Sequence, residues 1–338
     1  MPAGAKTTSR LSPVRRIRFA FGSLVRLAPG GSSLLRLRRR GIAAARRRVY
    51  PVRPPLHDSV RVEALSVAPD GHPFITGNAL AARCRFVINF DDLRVNDEVE
   101  NNWWFCQSEF LEYFFSSHEP TTPYVLFSHN SDRPIDRRLR RFLRRPGMHA
   151  WFSVNVETRH PKLHAFPTGI ADPRWQHGDG AMLAVVQAER PSKTTLFDAS
   201  YDVSTFPPAR EYSREQTGIA PAPRRPFAEY LRGVASSYFC IAPRGNGIDT
   251  HRMWEALYLR TIPIVTSSII TEQHTDLPMI VLDDWSAFRS IDFSPELYEE
   301  RWGGYDPAAL NLDRYLERVK ALVVTRPSLP LPASSRPE

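Results

Sequence analysis

Short apolar runs alternate with stretches of helical periodicity between about residues 58 and 325, and no internal repeat is visible. CRFVINF (84–90) has strand length and ends at Asp91 and Asp92, so it predicts a strand that delivers two acids to a loop. In NNWWFCQSEFLEYFFSS (101–117), Trp103, Trp104, Cys106, Phe110, Leu111 and Phe114 fall at helical spacings, which predicts one buried helix. YVLFSHN (124–130) and HAWFSVNV (149–156) read as strands, and RRLRRFLRR (137–145) between them reads as a basic, exposed helix. TTLFDASYD (194–202) reads as a strand, followed by a stretch punctuated by Pro207, Pro208, Pro221, Pro223 and Pro226.

The pattern then sharpens. PFAEYLRGVASS (226–237) predicts a helix, YFCIAP (238–243) a strand, RGNGID a glycine-containing loop, THRMWEALYLR (250–260) a helix and TIPIVTSS (261–268) a strand. MIVLDDW (279–285) adds a strand. A last helix is expected to start at Asp306 and Pro307 and to bury Leu312, Tyr315, Leu316, Val319, Leu322 and Val323. Strand and helix in alternation predict an α/β protein with parallel sheets. The change from one half to the other is placed near residues 172–192, giving halves of 56–180 and 181–325.

Composition narrows the class. With 338 residues and 42% apolar content the chain can bury a sizeable core, and 17 Gly and three Cys exclude collagen-like and disulfide-scaffold classes. Cys84, Cys106 and Cys240 sit in apolar runs and are expected as buried free thiols, which suits a reducing compartment. No apolar stretch approaches the ~20 residues of a membrane span. The net charge of +9 is uneven, because residues 1–50 hold 13 Lys or Arg and no acid, leaving the remainder net acidic. Any grip on phosphate or anionic lipid is therefore expected from the leader, 1–55, and nucleic-acid binding by the body is not expected. The leader admits three readings: a disordered basic tail, an anchor at an anionic membrane surface, and a cleaved organelle transit segment. They correspond to a cytoplasmic or peripheral membrane protein, or to an organellar one. The Pro- and Ser-rich segment 326–338 is expected to be an unstructured tail.

The chemistry concentrates in one unit. A strand, a loop with Arg244, Gly245, Asn246 and Gly247, and a helix predict a ligand site at the carboxyl end of a parallel strand. Glycines let backbone approach a phosphate, helix amides favour anions, and Arg244 or Arg252 can fork two oxygens. His251, Arg252 and Glu255 share one helical stripe, expected to be exposed where substrate arrives. The plainer reading is that Gly245 and Gly247 only shape a turn and that Arg252 and Glu255 form a surface ion pair.

The segment SYFCIAPRGNGIDTHRMWEALYLRTIPIV (237–265) resembles the donor-half motif of exostosin-type glycosyltransferases, family 47: a Phe-Cys strand, a Pro-Arg-Gly loop, an Arg-containing helix with Glu-Ala, and an Ile-Pro-Val strand. From Val87 to Gly169, including Phe166-Pro167-Thr168-Gly169, only the order of elements is similar. The resemblance implies a GT-B fold, two Rossmann-like halves facing a central cleft, and inverting sugar transfer from a UDP- or GDP-linked donor to a glycan or glycolipid hydroxyl. It implies that Arg244 and Arg252 hold the diphosphate and Glu255 the ribose, while Asn246 and Asp249 shape the loop. Preorganised guanidinium groups and helix amides can stabilise the departing diphosphate without a divalent ion or further cofactor, and no convincing metal motif is present, Asp91-Asp92 and Asp283-Asp284 being adjacent pairs. An inverting transfer needs a base, for which Asp91, Asp92, His129 and Asp132 are the candidates. The rivals are a fucosyltransferase-like enzyme and a catalytically silent carbohydrate-binding protein of the same fold.

Overall fold

The computed structural model describes residues 67–324 apart from 91, 119, 121 and 176. The expectations for the leader, for the tail and for Asp91 lie outside the described residues.

Six strands form a first sheet: β1 (Phe86–Asn89), β2 (Asp92–Val95), β3 (Trp103–Gln107), β4 (Tyr124–His129), β5 (Met148–Ser153) and β6 (Leu163–Ala165), in the order β2-β1-β3-β4-β5-β6. Four more, β7 (Thr195–Asp198), β8 (Ser237–Ile241), β9 (Ile262–Thr266) and β10 (Ile280–Leu282), form a second sheet in the order β10-β9-β8-β7. The helices are α1 (Gly77–Ala82), α2 (Leu111–Ser117), α3 (Gly180–Glu189), α4 (Pro207–Thr217), α5 (Phe227–Ala235), α6 (His251–Tyr258), α7 (Ile269–Gln273), α8 (Pro295–Trp302) and α9 (Leu312–Val324). The protein is therefore α/β. The second sheet is wholly parallel, whereas the first is mixed, because β2 returns antiparallel onto β1 with Asn89 opposite Asp92.

Two expected helices change character. The 101–117 segment splits into β3, a short 3-10 turn over Ser108–Phe110, and α2. β3 lies inside the sheet between β1 and β4, and an interior parallel strand is apolar on both faces, so its run mimics a helical period. The 137–145 segment is a 3-10 helix over Leu139–Arg144 that buries Leu139, Phe142 and Leu143. Asp306 and Pro307 open another 3-10 turn, Pro307–Leu310, and α9 starts only at Leu312.

Three apolar clusters fill the interior. One lies on a face of the first sheet and continues into α5 and α6, with Trp151, Phe114, Trp254 and Tyr258 at its centre. A second fills the other face of the first sheet, where Leu312, Tyr315, Leu316 and Val319 of α9 meet Phe105, Phe127, Phe152 and Phe166. Helix α9 thus packs on the first sheet, tied there by a two-pronged Arg83–Asp313 pair (2.8 and 3.1 Å) and by His149 Nε2 donating to the Val323 carbonyl (2.9 Å). Leu322 departs from its expected place on the buried face and is exposed. The third cluster, around Phe239, Ile264 and Trp302, belongs to the second sheet. Cys84, Cys106 and Cys240 are free and buried, as small apolar side chains.

Candidate functional site

The loop 243–250 leaves the carboxyl end of β8, an interior strand, and enters α6 directly. Opposite it stand the carboxyl ends of β4, β5 and β6, and the two edges are hydrogen-bonded to each other. The Asp249 N–H donates to Asn155 Oδ1 (3.2 Å), and the Thr168 N–H donates to the Asp249 carboxylate (2.7 Å). His251 Nδ1–H donates to the Gly169 carbonyl (2.8 Å), and Asn155 Nδ2 donates to the Ser131 carbonyl (2.8 Å). Trp254 Nε1–H takes the other Asp249 oxygen (2.8 Å). Two glycines make this clasp possible. A Cβ at Gly247 would lie 2.4 Å from Asn155 Oδ1, and Gly169, at φ +60°, would place one 1.9 Å from the Ile75 carbonyl oxygen.

Burial pushes the Asp249 carboxyl up to about 6, partly offset by its Thr168 and Trp254 donors. Asp249 is thus a polar rivet between the sheets. The space left beside Arg244, Thr250 and Ser268 is about 20 Å³, room for one water molecule.

Arg252 and Glu255 are not an exposed stripe. The Arg252 side chain is 11% exposed and pairs with Asp198 at the end of β7 (3.0 Å), with Cys240 Sγ at 3.7 Å and the Tyr230 ring centroid 5.0 Å from its guanidinium. Glu255 is buried and accepts the Tyr230 hydroxyl hydrogen (2.5 Å), and burial raises both groups above their usual ranges. The i, i+3 spacing predicted a mutual surface pair. Instead each side chain takes its own interior partner, because α6 is covered by α5 on that side.

Two other arginines are less fully matched. Arg244 is half-buried, its guanidinium stands 4.9 Å from the Phe206 ring centroid, and Glu157 at 4.0 Å is its only carboxylate among the described residues. Its Nε is buried without a hydrogen-bond partner, and burial lowers its pKa. Arg210 of α4 is buried and donates only to carbonyls, those of Arg244 (3.2 Å) and Asp202 (2.6 Å). Desolvation, with Arg252 nearby, brings it down to about 10. Its Nη2 would stand 3.3 Å from a Cβ on Gly245. A buried guanidinium that forms no ion pair among the described residues, with the Asp202 carboxylate acting on it only through space, is an anion-binding arrangement. Arg210 is hidden in the sequence because Pro207-Pro208 reads as a break, although proline favours the first turn of a helix. Asp198 was missed although TLFD is a strand ending in an acid.

The base candidates among the described residues, Asp92, His129 and Asp132, do not gather here. Asp92 belongs to the edge strand β2, at the far side of the sheet from β5 and β6. Asp132 is exposed in the loop after β4. His129 is buried with both nitrogens engaged: Nε2–H donates to the Pro167 carbonyl (3.1 Å), and Nδ1 accepts the Asn130 N–H (2.8 Å). It keeps no lone pair for a substrate proton. His251 differs. Its Nδ1 proton is fixed on the Gly169 carbonyl, so Nε2 is the acceptor nitrogen, and the side chain is partly exposed. Asn246 is partly exposed in the loop, and its carbonyl lies 3.4 Å from the Arg244 guanidinium.

Among the described residues no group of three His, Cys, Asp or Glu side chains is placed to hold a metal, and no helix is long and apolar enough to cross a membrane. No protein-family model matches the chain, and no curated protein matches it.

Proposed function

We propose that this protein is a glycosyltransferase of GT-B type that moves a sugar from a nucleotide diphosphate to a hydroxyl of a glycan or glycolipid. The observation that carries the reading is the Arg210–Arg244 pair beside the Gly245 loop: two part-desolvated cations, short of carboxylates, at the carboxyl edge of a parallel sheet and next to a helix N-terminus. Departing diphosphate is the charge such a site favours most. Arg252, bound to Asp198, positions the loop and α6 and adds positive potential without giving up its partner.

In the reaction the acceptor oxygen attacks the anomeric carbon, and the bond from that carbon to the diphosphate breaks with its electron pair leaving on the diphosphate. The hydroxyl proton passes to a base, the role we assign to His251 Nε2.

Thermal shift with UDP, GDP and their sugars tests the reading. At saturating ligand the melting temperature should rise for the wild type and much less for Arg244→Gln, a half-exposed position whose replacement leaves the fold intact. Equal shifts for both proteins, or none for either, count against it. Nucleotide binding without sugar transfer or donor hydrolysis would favour the silent carbohydrate-binding alternative.

A further inference from the structure

A second hollow lies away from the glycine loop. It is an open hollow of about 470 Å³ lined by Arg137, Arg138, Arg140, Arg141, Arg144 and His160, with no acidic side chain in its wall. Its geometry follows from the 3-10 helix. Leu139, Phe142 and Leu143 are sunk into the core, so the turn is anchored and its arginines all face outward. In a 3-10 helix residues i and i+3 eclipse each other, which puts Arg141 and Arg144 in one column, while Arg137 and Arg138 sit in the turn that leads into the helix. An α-helix, at 3.6 residues per turn, would splay the same arginines apart.

Stacked like charges repel, and little here relieves them. Arg138 is held by Asp136 through Nε (2.8 Å) and Nη2 (2.5 Å), and Arg141 donates to the Arg138 carbonyl (3.2 Å) and lies against the Phe142 ring. Arg137, Arg140 and Arg144 form no ion pair among the described residues. Guanidinium forks match phosphate oxygens two at a time, and a hollow of this size takes a small molecule or a headgroup rather than a duplex.

We infer that this hollow is a binding site for a compact ligand bearing two or more phosphate groups, carried either by a free molecule or by a lipid headgroup. The inference is independent of the proposed transferase activity, because none of these six residues lies in the Arg210–Arg244 site.

The test compares the full chain with its Arg140→Gln/Arg144→Gln double variant, in which only exposed side chains change and the basic leader is retained. Titration calorimetry with inorganic triphosphate reads the free-ligand source. Co-sedimentation with phosphatidylcholine vesicles, with and without a phosphatidylinositol bisphosphate, reads the headgroup source. The inference predicts a loss of about tenfold or more in triphosphate affinity, in vesicle recruitment, or in both, by analogy with charge-assisted contacts of ~1.4 kcal/mol or more. The affected arm identifies the source. Equal binding by both proteins in both arms overturns it, because the leader or another surface would then hold the phosphate. So does variant-sensitive binding of single-stranded oligonucleotide that is stronger than that of triphosphate, since the hollow would then belong to an extended chain.

Discussion

The two arginine-rich regions of this molecule differ in what surrounds the charge. At the glycine loop the guanidinium groups are desolvated and built into the joint between two sheets: Arg252 has Asp198, Arg210 has carbonyls, and the free space holds about one water molecule. At the Leu139–Arg144 helix the guanidinium groups are solvated, mostly without counter-ions, and set around an open hollow. Burial makes the first set few, positioned and costly to disturb. Exposure makes the second set numerous, cheap to alter and sensitive to salt. A run of arginines in a sequence therefore says little until the backbone has decided which of them are taken out of water.

The largest contrast is expected from Arg252→Ala. It strips a buried Asp198 of its main partner and should lower stability by about 3–5 kcal/mol in urea unfolding. A loss below ~1 kcal/mol would mean that Arg225, 3.9 Å from the other Asp198 oxygen, takes over the pairing. Next comes the pH dependence of the clasp. Asp249 has a folded pKa near 6 against an ordinary value of 3.8, so the folded state holds the extra proton. Stability from this group is full below pH ~4 and is lost as pH rises to about 6, an effect of roughly 2–3 kcal/mol. Unfolding curves of wild type and Asp249→Asn should diverge over that window and run parallel above it.

Gly247→Ala places a methyl group against Asn155 and should cost about 1–3 kcal/mol, measured by the same unfolding curves. The smallest effect is expected at the hollow. Arg140→Gln/Arg144→Gln should raise stability by a few tenths of a kcal/mol at low salt, a gain that disappears in high salt. Destabilisation there would show that these side chains hold the fold rather than await a ligand.

Much of this arrangement was legible in the residues. The strand, loop, helix and strand from Tyr238 to Val265 stand where their periodicity put them, and the strand signals around Val87, Leu126, Trp151 and Leu196 were sound. What escaped was set by tertiary context. β3 looked helical because an interior strand has no polar face. α3 has apolar residues on all sides, so its sequence shows no period. β2 turns back through a two-residue connection between Asn89 and Asp92, which the adjacent acids concealed. At the site, the Gly245–Gly247 loop and Arg244 could be named from sequence. The partners that decide what each group can do could not, because Asp198, Arg210 and Asn155 come from 34 or more residues away along the chain.

The central claim is that Arg210 and Arg244 await a diphosphate. Calorimetric titration of the wild type, Arg210→Gln and Arg244→Gln with UDP and GDP tests it most directly. The account predicts binding of one nucleotide by the wild type, weakened tenfold or more by each substitution, in line with charge-assisted hydrogen bonds worth about 1.5–3 kcal/mol. Nucleotide affinity unchanged in both folded variants would contradict it.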